Sequence, residues 1–283
     1  MTAPVALARL ARRTVAGCCA AVLVAGPAAC SSDGDGPSSV APVVSASPPM
    51  SAAPTATAEP RPNGSVASPI RVTPPPGRAP ASAFAVGTRQ LSISRGPSRP
   101  LPTSLWYPAV GPADRSPAAG RQPAAGPFPV VLFSHGLTAA PVDYADLLAA
   151  WAAAGFVVAA PAYPFTSTGV PRFNAGDVVN QPADASTVLS SVLALQGKAG
   201  DPLQGRLNVA RTAAAGHSAG GVTTLGLFSS DRDDRLDAGV VLAGRRLLPT
   251  AFTGAPAAIL FVHGKKDRTV RYAEARAAFD AVP

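Results

Sequence analysis

Residues 211–221 read RTAAAGHSAGG, an apolar run that breaks into Gly-His-Ser-Ala-Gly and continues as AGGVTTLGLF. The first part has the composition of a buried strand and the last the spacing of a helix. A strand that turns abruptly into a helix forces strained backbone on the residue at the turn. Only small residues fit two positions to either side of it, hence Gly216 and Gly220. The turn exposes the Ser218 hydroxyl at a helix N-terminus, where developing negative charge is favoured. In a chain with 26 Gly the five-residue pattern carries little weight alone. Its weight comes from the strand before it and the helix after it.

Working outward, strands and helices alternate. RQLSIS and SLWYPA are two strands joined by a Pro/Gly-rich turn, and PVVLFSHG (129–136) is a continuous apolar run of the kind buried on both faces. A helix is expected over 141–154, with Tyr144, Leu147, Leu148 and Trp151 at helical spacing and Pro141 in its first turn. GFVVAAPAYP is the next buried strand, and 181–196 a helix with Val188, Leu189, Val192 and Leu195 on one face. DAGVVLAG and PAAILFVHG are two more buried strands, and TVRYAEARAAFDA a closing helix. Such alternation predicts an α/β domain with a mostly parallel sheet and helices on both faces. Ligands bind such sheets at the carboxyl ends of the strands.

Two other strand ends carry chemistry. Ser134-His135-Gly136-Leu137 follows PVVLF, and acyl transfer needs two backbone N–H groups aimed at an oxyanion. Leu137 and Ala219 are the candidate donors, with Gly136 allowing close approach; His135 is read as a polar loop residue without a proton-transfer role. His263-Gly264-Lys265-Lys266-Asp267 follows AAILFV, and Asp267 is placed to orient an imidazole. Asp237 sits in the charge run DRDDRLD and is the weaker candidate acid.

Together WYPA, PFPVVLFSHGL, AAWAAAGFVVAAPAYP, GHSAGG and VHGKKDRTV resemble the α/β-hydrolase superfamily over roughly residues 84–283. The likeness is to the branch holding cutinase-like polyester hydrolases, platelet-activating-factor acetylhydrolases, chlorophyllases and dienelactone-hydrolase-like proteins. The resemblance implies an α/β-hydrolase fold and a carboxylic ester hydrolase. It implies Ser218 as nucleophile, Asp267 as the acid, Leu137 and Ala219 as the oxyanion hole, and Gly216 and Gly220 as elbow glycines. It implies no cofactor. In the superfamily a catalytic histidine follows the acid, after a final strand. Here 16 residues follow Asp267 and include no histidine, so the expectation is a domain lacking its last strand and helix. His217 is expected to point away from Ser218, leaving His263 as the one stand-in base. The competing reading is a catalytically silent, surface-tethered binding protein that keeps the hydrolase fold.

The N-terminal part reads differently. Arg9, Arg12 and Arg13 precede the apolar stretch TVAGCCAAVLVAGPAA and then Cys30. This order is that of an export signal over 1–29, with Cys30 as a lipidated N-terminus; plain cleavage near Ala29 and an uncleaved segment are the alternatives. Residues 30–82 are rich in Pro, Ser and Ala and predict a disordered tether, spanning about 40 Å as a flexible coil, ahead of a hydrolase domain over 83–283. The expected setting is a cell-envelope lipoprotein, or a secreted protein, acting on a small-molecule or lipid ester.

Bulk composition excludes other classes. The formal charge of +8 comes from dispersed arginines without an aromatic-interleaved basic patch, so no nucleic-acid partner is expected. The three cysteines, Cys18, Cys19 and Cys30, precede the folded region, and three isolated histidines form no metal-binding spacing.

Overall fold

The computed structural model describes residues 80–113 and 116–283. Cys30, the signal segment 1–29 and the tether up to residue 79 lie outside the described residues. Eight strands form one sheet: β1 (Ala85–Ser94), β2 (Pro100–Ala109), β3 (Ala118–Ala119), β4 (Phe128–Ser134), β5 (Val157–Pro161), β6 (Leu207–His217), β7 (Leu236–Leu242) and β8 (Ala258–Val262). Their order is β3-β1-β2-β5-β4-β6-β7-β8. β2 is antiparallel to β1 and β5, and the five strands from β5 to β8 run parallel.

The helices are α1 (Ala145–Ala153), α2 (Gln181–Leu193), α3 (Ala219–Gly226) and α4 (Tyr272–Asp280). They cover both faces of the sheet, and β4 shows how one apolar run serves two cores. Val131 and Phe133 point into the layer under α1, with Leu148 and Ala152. Val130 and Leu132 point into the layer under α2, with Ala185, Val188, Leu189 and Val192. The period of two along a strand makes this division, so a strand between two helical layers has no polar face. This is the α/β-hydrolase fold expected from the sequence.

Boundaries depart from the sequence reading in physically simple ways. Pro141–Tyr144 is a 3-10 turn before α1, and Ala194–Gly197 another after α2. β8 corrects a stronger expectation. Read as a buried strand, it lies at the sheet's edge, with Leu260 58% and Val262 51% exposed. Its other face packs: Phe261 meets Phe279 of α4 edge-on at 5.6 Å.

The β1–β2 hairpin is tied to the segment after β5 by a buried ion cluster. Arg99 makes a bidentate bond to Asp177, at 2.9 and 2.8 Å, and its Nε donates to Asp184 at 2.8 Å. Arg95 donates to the same Asp184 oxygen at 2.6 Å. Asp184 is fully buried, and Arg99 is raised further above its ordinary value by its bonds to Asp184 and then Asp177. Two cations against two carboxylates leave no net charge. Removing one cation leaves a buried carboxylate under-compensated, which costs about 3–5 kcal/mol. Arg99→Ala is therefore expected to lower the urea midpoint by that equivalent, and Arg99→Met with Asp177→Leu to recover part of it. Unchanged unfolding of Arg99→Ala would show that the cluster is not a support.

Candidate active site

Parallel strands deliver their following loops to one edge of the sheet. Here the loops after β4, β6, β7 and β8 meet at the carboxyl edge. Ser218 stands at the turn from β6 into α3 with φ 54° and ψ −115°, a left-handed conformation unusual for a residue with a side chain. Its N–H is fixed to the Leu242 carbonyl at 2.9 Å. The elbow is tight because backbone touches backbone. A Cβ on Gly216 would lie 2.1 Å from the Gly220 carbonyl oxygen, and one on Gly220 would lie 1.9 Å from that of Ser134.

Ala219 is the first residue of α3, so its N–H lacks an intrahelical acceptor. In the loop after β4 the Gly136 N–H donates to Tyr144 Oη at 3.1 Å and the Thr138 N–H to the Thr166 carbonyl at 2.8 Å. The Leu137 N–H between them makes no bond among those described. Gly136 brings this loop against the elbow: a Cβ there would sit 3.4 Å from Ser218 Cβ and 3.3 Å from His217 Nδ1. The loop that carries the Leu137 N–H thus packs against the elbow that carries the Ala219 N–H; an oxyanion hole needs two such donors aimed at one point.

Asp267 lies on the loop after β8. Its Oδ1 accepts the N–H groups of Thr269 and Val270 at 2.8 and 3.0 Å. These bonds, Val270's first, hold the carboxyl below its ordinary value, and His263 and His217 add to this through their fields. The sheet therefore carries Asp267 and His217, 50 positions apart in the sequence, into electrostatic range of one another. Asp237, the weaker candidate, sits near the opposite end of β7, where its Oδ2 accepts from the Thr212 N–H at 3.2 Å.

Each of the three histidines is engaged away from the Ser218 hydroxyl. His135 is a buried strut between the loops after β4 and β5, which corrects its reading as a polar loop residue. Its Nδ1–H donates to the Gly136 carbonyl at 2.7 Å, while Nε2 accepts from the Tyr163 N–H at 3.2 Å and lies 2.9 Å from Ser167 Oγ. Burial keeps it neutral by pushing its pKa down. His263 Nε2 is 2.8 Å from the Val270 carbonyl, so that nitrogen carries the proton and is not a base; it also lies 3.6 Å from Asp267. His217 bonds Tyr144 Oη through Nδ1 at 2.9 Å, and burial lowers its pKa against the opposing field of Asp267. Among the described residues no histidine hydrogen-bonds Ser218.

Tyr144 escaped the sequence reading, where it counted only as an apolar residue at helical spacing. It links the loop after β4, through Gly136, to the elbow, through His217. Ser134 and Tyr163, hydroxyl to hydroxyl at 2.8 Å, likewise join β4 to the loop after β5. Among the described residues no group of three or more His, Cys, Asp or Glu is placed to hold a metal ion.

The chlorophyllase family model matches residues 117–243, which takes in the loop after β4 and the elbow and stops short of Asp267. No curated protein sequence matches the chain. Among solved structures, a ferulic acid esterase from Streptomyces cinnamoneus superposes with a TM-score of 0.54 at 21% identity, covering 73% of each chain. With a mostly parallel sheet in which one antiparallel strand joins β1 to β5, a strained serine at the turn into α3 and these matches, the chain has the α/β-hydrolase fold and is similar to proteins of that superfamily.

Proposed function

We infer that the protein is a serine hydrolase of carboxylic esters, exported and held at the cell envelope through Cys30. The observation that carries the reading is Ser218 at φ 54° at the turn into α3, next to Ala219 and against the loop that carries Leu137. Once a base takes the hydroxyl proton, Ser218 Oγ attacks the acyl carbon and the carbonyl oxygen takes the negative charge. Two N–H groups hold that oxygen until the C–O bond breaks, the base returning its proton to the leaving alcohol. The acyl group then sits on Ser218, and water releases it as the acid. A triad needs the serine proton to pass to an imidazole oriented by a carboxylate. Asp267, ionised and pre-set by two backbone donors, fits the orienting role. The chlorophyllase-family match and the likeness to a ferulic acid esterase support ester chemistry.

One observation favours a second reading, a silent binding protein: the Ser218 hydroxyl has no histidine partner among the described residues. Fluorophosphonate labelling followed by peptide mass mapping separates the two. A nucleophile set against an oxyanion hole reacts slowly without its base, so the hydrolase reading expects a phosphonylated Ser218 peptide after hours and none in Ser218→Ala. A folded chain that stays unlabelled would establish the silent reading.

A further inference from the structure

We propose that the carboxyl edge of the sheet is also a docking face for an anionic lipid surface, independent of whether Ser218 turns over. Single exposed apolar side chains are ordinary on proteins. Here they gather on the loops that emerge at one edge. Leu137 and Val142 follow β4, Phe173 and Val179 follow β5, and Leu247 and Leu248 follow β7; all six are exposed. The last three meet across the edge, since Val179, Leu247 and Leu248 line one shallow pit with Val222, four residues beyond Ser218 on α3.

Charge on the same loops says what this face meets. Arg172, Lys265, Lys266 and Arg268 are exposed, and the described ion pairs give none of them a carboxylate. Of the acids nearby, Asp177 is paired with Arg99 and Glu274 with Arg245, while Asp143 and Asp267 keep their charge, so the four cations still outnumber the uncompensated carboxylates two to one. Unpaired cations beside apolar side chains at loop tips fit a layer of anionic headgroups over acyl chains: the cations meet the headgroups while the apolar tips enter the boundary beneath. Lys265, Lys266 and Arg268 are neighbours in the sequence, and the fold brings Arg172, on the loop after β5, to the same edge.

The test uses the full chain carrying Ser218→Ala, so that binding is read without chemistry and its failure says nothing about hydrolysis. Hydrogen exchange is followed on vesicles of phosphatidylcholine with and without phosphatidylglycerol. The expected result is protection of residues 137–143, 172–179, 245–250 and 265–271 on the anionic vesicles. A cation near such a surface contributes about fivefold in partitioning. Lys265→Gln, Lys266→Gln and Arg268→Gln together are thus expected to weaken the phosphatidylglycerol-dependent part by about 100-fold. Leu247→Ser with Leu248→Ser should weaken it by about tenfold, half the effect of fully burying both side chains. Any contribution from the N-terminal apolar segment is common to all variants and cancels. Protection equal on neutral vesicles, variants that partition like the parent, or protection that rises with protein concentration alone would each overturn the proposal. The last would mean that a second copy covers the face.

Discussion

Purified as the 283-residue chain, the protein is expected to hydrolyse p-nitrophenyl butyrate no more than about 10⁴-fold above the buffer rate, and Ser218→Ala is expected to lower that rate by less than about tenfold. The second half of this expectation follows from non-additivity. In a complete triad the serine, base and acid act as a unit, so losing the serine costs about as much as losing all three, on the order of 10⁶. Without an imidazole on its hydroxyl, Ser218 is a neutral alcohol and a poor nucleophile at neutral pH. The residual rate then comes from substrate binding and from the two N–H donors, and Ser218→Ala leaves both in place. Among the described residues no histidine hydrogen-bonds Ser218: His135 is buried with both nitrogens bonded, His263 holds a carbonyl through Nε2, and His217 holds Tyr144 through Nδ1. The decisive measurement is the steady-state rate of parent and variant side by side. Ordinary esterase turnover that disappears in Ser218→Ala would mean that one of these histidines reaches the serine, with His217 the first to examine because it neighbours Ser218 and feels Asp267.

The parts of this site that were legible in the sequence are those whose constraint is local. A two-sided strand needs an unbroken apolar run, so Val130–Phe133 announced itself. An elbow needs small residues two positions from its turn, so Gly216 and Gly220 marked Ser218. What stayed hidden depends on pairing across the chain. Arg95 and Arg99 meet Asp177 and Asp184 over 78 to 89 positions, and no periodicity encodes that match. AAILFV has the composition of a buried strand, yet one of its faces carries Leu260 and Val262 exposed. His135 looked like a loop residue because the Tyr163 N–H and Ser167 hydroxyl that meet its Nε2 lie 28 and 32 positions on. Tyr144 hid for the opposite reason: its helical spacing accounted for it before its hydroxyl was considered.

Gly220→Ala is expected to be the most damaging single methyl in the domain. The added carbon would sit 1.9 Å from the Ser134 carbonyl oxygen, 2.4 Å from its carbon and 2.8 Å from the His135 carbonyl oxygen. Overpacking in a core that yields through side-chain rotation costs about 1–3 kcal/mol. Neither partner here can rotate away. Ser134 is laddered to Gly216 in the sheet, and Gly220 lies in the first turn of α3. Relief therefore requires α3 to move off the end of β4, and the cost is expected to reach about 3 kcal/mol or more, lowering the Tm by roughly 10 °C for a domain of this size. Gly197→Ala is the matched control, because a Cβ there meets nothing within 4 Å; it should change stability by no more than about 0.5 kcal/mol. A Gly220→Ala protein melting within about 2 °C of the parent would show that the elbow is looser than its geometry. The same shift would carry the Ala219 N–H away from the Leu137 N–H. Whatever fraction of the variant folds should therefore also lose fluorophosphonate labelling at Ser218, a loss the control should not share.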